Sequence, residues 1–465
     1  MTICYTPPFA FPLHRVKSAL LATLVAVSIP GPVWAEDLVQ VFDLARRHDA
    51  TILAAEAQWR SAAPRLARAK GALLPNVSMS ASTTRLRSVI DAADGEFSGR
   101  TDNDAKSLSV NLRQPLFNVA VGTDIAIAKV GEQSAQLDYT IALQDFTLRV
   151  AQAYFDVLAA QDVLETRRLS KASIAGQLDA AVRRFKSGLA IITDQEDAQA
   201  RYSLAEAEEA AAENDVLVAR LALQRLTGRP DIAPRPIPAQ LDAPLLAPGE
   251  LAARIAQAAQ HPVVRRAELA LERARLDTRR ARAAGLPTVD LVGSASRNRV
   301  GGDTSPVSNL LIGRSTNSSL GVELNLPLFA GFTRSNLVKE NVLLADQARH
   351  NLEAANRASQ TSAERAYYSL KTTLARLKAL AAAEAASSSS LTGTQRGYKA
   401  GLRPNLDVLN AQSLLYQTRI ELDRARYDVL MRSLALEAVT GNLDRESLVN
   451  LNQMLAASAD APAPR

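Results

Sequence analysis

The chain has 465 residues and a single cysteine, Cys4, so no intrachain disulfide can staple the fold. Histidine is nearly as scarce. His14, His48, His261 and His350 are all there are, and no two stand in the H-x-x-x-H spacing that holds zinc on a helix. A glycine-rich phosphate loop and a nucleophile elbow are also missing. Asp194 and Asp197, three residues apart, imitate a carboxylate pair but fit a solvated helix start better. Catalysis, metal sites and cofactors are therefore not expected; the chain does not read as an enzyme.

Long apolar runs are absent but for one. Ser18–Ile29 ("SALLATLVAVSI") is too short to cross a bilayer, follows the basic Arg15 and Lys17, and precedes the small-residue site Val33-Trp34-Ala35. Those features describe a signal peptide over residues 1–35, with Glu36 opening the mature chain. Cys4 lies ahead of the run, so there is no lipobox and no lipid anchor is expected. Nothing later in the chain is apolar enough for a transmembrane helix. A membrane, if crossed, must be crossed with strands. Loss of Arg15 and Lys17 takes the formal charge from +6 to +4. The pI near 9.4 does not point to nucleic acid in an exported protein, and the arginine-rich run Arg265–Arg282 reads as a solvated helix face.

Proline is missing from two very long stretches, Leu116–Arg229 and Leu328–Arg403. If helical, residues 118–186 alone would reach about 100 Å at 1.5 Å per residue. Leu143, Phe146, Val150, Tyr154, Val157 and Leu164 recur there at three- and four-residue steps, one apolar seam on a polar helix. Such helices suit a soluble periplasmic coiled-coil adaptor as well as a tunnel wall, so they do not discriminate.

What the chain does have is itself, twice. "LPNVSMSAS" (74–82) returns as "LPTVDLVGS" (286–294), "SLSVNLRQPLF" (107–117) as "SLGVELNLPLF" (319–329), and "LTG" (226–228) as "VTG" (439–441). "GLAIITDQEDAQARY" (188–202) returns as "GLRPNLDVLNAQSLLY" (401–416), with Gly188, Asp194 and Gln199 each mapping 213 residues on to Gly401, Asp407 and Gln412. The first repeat spans 36–229 and the second 251–441, separated by a proline-rich connector at 230–250 and followed by a 442–465 tail. Within each, alternating segments predict two strands, near 75–87 and 107–117, then near 287–299 and 318–329. One face of each is apolar and one polar, which fits either a transmembrane barrel or a half-buried antiparallel sheet. The loops Ser88–Lys106 and Val300–Ser318 are polar and suit extracellular loops. Four strands cannot close a barrel, whereas three copies would supply twelve.

The order and duplication of these segments resemble the TolC family of outer-membrane channel-tunnels. The quoted strand pairs, "AQAYFDVL" (151–158), "RFKSGLAIITD" (184–194), "GYKAGLRPNLDVLNAQ" (397–412) and "ARYDVL" (425–430) carry the resemblance over nearly the whole mature chain. It implies an α+β membrane protein. Three chains would form a 12-stranded outer-membrane barrel, four strands each, continued by a coiled-coil helical tunnel through the periplasm of a Gram-negative cell. The implied function is the exit duct of a tripartite export system, either type I secretion or drug efflux. The implied partners are the chain itself as a homotrimer, outer-membrane lipid, a periplasmic membrane-fusion adaptor and an inner-membrane ABC or RND transporter.

For the repeated phrase the residues alone suggest capping. Thr193 as N-cap with Glu196 three on makes a capping box, Gly188 and Gly401 suit helix ends, and Pro404 suits a first turn. The resemblance adds that the turns near 187–194 and 400–407 are the periplasmic tips. By that match Asp407 falls on the first gate aspartate of the pore constriction, and Asn410 stands where the second would be. Thr193 and Asp194 match the partners of Tyr398 and Arg403 in links that close the tip. Asn410 halves the formal charge of the acidic rings, so weaker cation preference is expected than in a double-aspartate relative.

Overall fold

The computed structural model describes residues 36–91, 98–188, 191–238, 247–302 and 313–459. The expected signal peptide lies outside them, as do parts of the two loops, of the first tip turn, of the connector and of the tail. The chain order is α1 (Leu38–His48), α2 (Ala50–Arg60), α3 (Ala62–Gly71), β1 (Asn76–Asp91), β2 (Ser98–Phe117), α4 (Val119–Lys186) and α5 (Ile192–Thr227). The second half follows with α6 (Leu251–Ala258), α7 (Pro262–Ala283), β3 (Thr288–Gly302), β4 (Gly313–Asn325), α8 (Thr333–Lys399), α9 (Asn405–Val439) and α10 (Arg445–Ala459). The duplication is plain in the lengths: α4 and α5 have 68 and 36 residues, α8 and α9 have 67 and 35.

Asn118 starts α4, its Oδ1 accepting from the backbone N–H of Ala120 (3.0 Å) and Val121 (3.2 Å). In the second copy α8 begins after Phe332 at φ 64° with no side-chain cap. Residues 327–329, expected to end the fourth strand, are not strand at all. β2 stays paired with β3 as far as Phe117 through a register shift, whereas β4 stops at Asn325, opposite Thr288 where β3 begins. The first hairpin is longer than the alternation suggested, since β1 and β2 continue pairing out to Asp91↔Ser98. Arg85–Asp104 (2.9 Å) and Arg87–Asp102 (2.7 Å) bridge that extension, and the polar composition hid it.

The four strands form one antiparallel sheet in the order β1-β2-β3-β4, and the β2–β3 pairing joins the two copies. Register puts Val77 opposite Leu112, and Leu112 opposite Gly293, which faces Leu320. One face therefore carries an apolar band across all four strands. Among the described residues nothing covers it: Val77, Met79, Leu320 and Val322 are 65–74% exposed. The other face is polar, with Ser80 Oγ 2.7 Å from Ser109 Oγ, Ser294 Oγ 2.9 Å from Ser319 Oγ, and Arg113 donating to Asp290 at 2.6 Å. A half-buried soluble sheet would lay a helix over its apolar face; this one suits lipid outside and water inside. No described helix is long and apolar enough to cross a membrane. Both sheet edges stay open in one chain, which is tolerable in hydrocarbon only once further copies pair with them.

The largest core lies where α4 passes α1, the end of α5, α9 and α10. It holds Phe42, Phe146, Val150, Tyr154, Phe155, Leu158, Leu223, Leu430, Leu436 and Leu448. Phe146, Val150, Tyr154 and Val157 of the apolar seam are buried in it. The Tyr154 hydroxyl accepts from the Arg235 N–H at 3.0 Å and donates to the Glu36 carbonyl at 3.2 Å, fastening both the segment that leads into α1 and the connector to α4. Arg445 clamps Asp43 at 2.6 Å, joining α10 to α1 and holding that carboxyl below its usual range. The arginine run on α7 is an exposed face in ion pairs, Arg266–Asp138 and Arg280–Asp124 reaching across to α4.

Midway along the coils a cluster of acids is half-buried between α4 and α9. Tyr427 donates to Asp162 at 2.5 Å, and Arg426 lies 2.7 Å from Asp423. Burial pushes the Asp423 carboxyl up to about 6; Arg426 and Arg419 oppose that, and Asp162 and Glu165 add to it. Burial raises Asp162 in the same direction. The folded chain thus binds a proton on Asp423 that the unfolded chain, with the ordinary value of 3.8, has released. Stability from this site is present at acid pH and lost as pH rises through about 4 to 6. Over that interval the thermal midpoint of the detergent-solubilised protein is expected to fall, and Asp423→Asn to flatten the fall. Parallel curves for parent and variant would contradict this assignment.

Candidate functional site

Four helix ends meet at the tip: the ends of α4 and α8 and the starts of α5 and α9. Leu178 and Ala181 of α4, Ala198 of α5 and Leu409 of α9 make one apolar cluster. Leu391 and Tyr398 of α8 pack with Val408, Ala411 and Leu415 of α9 in another. These small cores set the distance between the first-copy and second-copy coils.

Both turns rest on a left-handed glycine. Gly188 has φ +71° and Gly401 φ +76°, a conformation costly for any residue with a Cβ. At the second turn the Leu402 N–H donates to the Gly397 carbonyl (2.9 Å) and the Gly401 N–H to the Tyr398 carbonyl (3.0 Å), a complete Schellman motif. At the first, the Gly188 N–H donates to the Phe185 carbonyl at 2.9 Å. The expected Thr193–Glu196 capping box is not formed. α5 begins earlier, with Ile191 as N-cap and no side-chain cap, so Thr193 already lies in the first turn. Its neighbour Ile192 is β-branched and apolar, a poor advertisement for a helix start. Pro404 takes the N-cap position of α9, and Asp194 and Asp407 each fall in a first turn, where the helix dipole favours them.

Asp407 is not left bare. Arg403 Nη1 lies 3.1 Å from its Oδ2, an i,i+4 pair whose side chains are 63% and 34% exposed. Arg403 also lies against Gly397, where an added Cβ would stand 3.0 Å from its Cγ. Tyr398 carries the Arg184 guanidinium over its ring at 4.6 Å, a contact from α4 to α8. Within one chain, then, Tyr398 and Arg403 meet neither Thr193 nor Asp194. Thr193 is exposed, and the Asp194 side chain has no partner among the described residues.

Three contacts missed in the sequence tie the copies together. Besides Arg184 over Tyr398, Gln412 Nε2 donates to Ser173 Oγ at 2.7 Å from a fully buried position. Arg201 Nη2 donates to Asn410 Oδ1 at 2.6 Å, from α5 to α9. The repeat held part of the signal. Gln199 and Gln412 echo each other, yet Gln199 is exposed on α5 while Gln412 sits in the core. Arg201 falls where the second copy has Leu414, an asymmetry visible only by laying the copies side by side. Among the described residues no cluster of metal-binding side chains occurs.

A sequence profile of the outer membrane efflux protein family matches residues 41–229 and 255–442, interrupted only around the connector. The chain belongs to this family. It is 30% identical over 437 residues to the outer membrane protein TolC of Vibrio cholerae serotype O1, covering 94% of this chain and 96% of that one. It is 27% identical over 437 residues to the alkaline protease secretion protein AprF of Pseudomonas aeruginosa, covering 92% and 89%. Among solved structures, the Campylobacter jejuni CmeC outer membrane channel superimposes with a TM-score of 0.71 at 17% identity, covering 95% of this chain and 97% of that one. Membership accounts for the bare apolar sheet face. This efflux-family chain is a passive outer-membrane exit duct, not an enzyme, and it extends from the outer membrane of a Gram-negative cell into the periplasm. Its fold is the channel-tunnel fold, four barrel strands and two pairs of long helices per chain, three chains to a twelve-stranded barrel. The soluble-adaptor alternative falls with the sheet.

Proposed function

We propose that the tip of this duct is its gate, closed by symmetry-repeated polar contacts around Asp407 and opened by a periplasmic membrane-fusion adaptor engaged with an inner-membrane ABC or RND pump. The observation that carries the proposal is the convergence of four helix ends around the partly exposed Asp407 carboxylate, which three-fold symmetry turns into a ring. Asp194 has no partner among the described residues of its own chain, and its link is made to a neighbouring copy. Arg403 serves Asp407 through Nη1 alone, and its remaining N–H donors are available to that neighbour's Asp194. Thr193, beside it in the first turn, offers a hydroxyl to the same contact.

Cargo and pump are open to one experiment. Crosslinking in cells followed by purification of the duct is expected to bring down one adaptor and one transporter; an ABC protein means type I secretion, an RND protein means small-molecule efflux. Recovery of neither contradicts the tripartite reading. Bilayer recordings test the gate. Asp407→Ala is expected to lower the cation-to-anion permeability ratio about twofold or more, and an unchanged ratio would remove Asp407 from the pore.

A further inference from the structure

We propose that Arg201 is a selectivity-determining residue of this gate, placing a fixed positive charge beside Asn410 and tying the first-copy coil to the second. The inference rests on the reading of the tip as the pore constriction. Asn410 lies three residues after Asp407 on α9, close to one helical turn on, and on the same helix face. Its amide oxygen accepts from Arg201 Nη2 at 2.6 Å, a bond spanning 209 residues of sequence and the two coils. An aspartate at position 410 beside the same guanidinium would cancel its charge. An asparagine accepts the hydrogen bond and leaves the positive charge uncancelled.

The charge immediately beside residue 410 is then positive. On the α9 side each chain holds one carboxylate, Asp407, already paired with Arg403, and beside Asn410 a second guanidinium, Arg201, bonded to a neutral amide. Asp194, Glu196 and Asp197 are the other acids near the start of α5, and none has an ion pair among the described residues. A ring of three Arg201 side chains one turn from three compensated aspartates does not attract multivalent cations. It lowers the barrier for anions instead, because a like charge at short range opposes cation entry. The same bond resists separation of α5 from α9, which is the movement that widens the tip.

The test uses the full-length protein in planar bilayers, reading conductance together with the reversal potential in a potassium chloride gradient. The parent is expected to lean toward chloride and to resist block by a trivalent cation. R201A should raise conductance and raise the cation-to-anion permeability ratio about threefold or more at low salt. R201K, which keeps the charge, should restore the parental ratio, and N410A should raise conductance by releasing the tie. If R201A leaves the permeability ratio at the parental value, Arg201 lies outside the ion path and the inference fails while the duct stands. A protein that folds but opens no channels would contradict the duct reading itself, and this inference with it.

Discussion

Arg403→Ser channels are expected to conduct about threefold or more above the parental level and to become more cation-selective. Two consequences of one side chain add here. Arg403 neutralises Asp407 across 3.1 Å, so its loss uncovers three carboxylates in the assembled ring. It also supplies a forked donor at the α9 turn to a neighbouring copy, so its loss loosens the closed tip. The pair is exposed, and a surface ion pair contributes little to global stability. Trimer yield and heat resistance should therefore stay at the parental level while conductance rises. Parental conductance together with parental selectivity would show that this tip is closed by something else. The two readouts also separate Arg403 from Asp407, since Asp407→Ala shifts selectivity in the opposite direction.

Phe155→Ala should do the reverse, leaving the tip chemistry intact and dismantling the molecule. Phe155 is buried between α4 and α9, with its ring centroid 5.6 Å from Tyr154 edge-on and 6.1 Å from Tyr427. Truncation of such a ring costs about 3–5 kcal/mol through lost burial and the cavity left behind. Tyr154 fastens Glu36 and Arg235, and Tyr427 is bonded to Asp162, so both neighbours of the cavity hold other parts of the chain. Heat-resistant trimers are expected to disappear for Phe155→Ala and to persist, with a lower melting midpoint, for Phe155→Leu. Normal trimer stability in the alanine variant would mean that this belt is not the structural core.

The contrast between these variants follows how the chain can be read. Helices without proline, strands with alternating faces and a duplicated phrase all depend on local periodicity, and each was legible in the linear sequence. The exposed apolar face of the sheet follows from Val77, Leu112, Gly293 and Leu320 sharing one row, which alternation already implied. Boundaries set by partners were less legible. The second "PLF" fails to be strand because β3 begins only at Thr288, opposite Asn325, and β1 outruns its apolar pattern because Arg85 and Arg87 find Asp104 and Asp102 opposite. At the tip the residue types were apparent but their pairing was not. Arg403 could choose between Asp407 four residues away and Asp194 in the other copy, and within a chain the helical neighbour wins on proximity. Arg201 and Asn410 meet only because the two coils pack at a particular rotation, which Leu178, Ala181, Ala198 and Leu409 fix and no local pattern reports.

The central claim is that Asp407 lines a three-fold constriction in the path of transport. Because the only cysteine of the chain is Cys4, within the expected signal peptide, Asp407→Cys introduces a unique thiol. Single channels of this variant, exposed from the periplasmic side to a bulky cationic thiol reagent, are expected to lose current in up to three discrete irreversible steps. A current indifferent to the reagent, in protein shown by mass to be fully modified, would place residue 407 away from the pore and contradict the account.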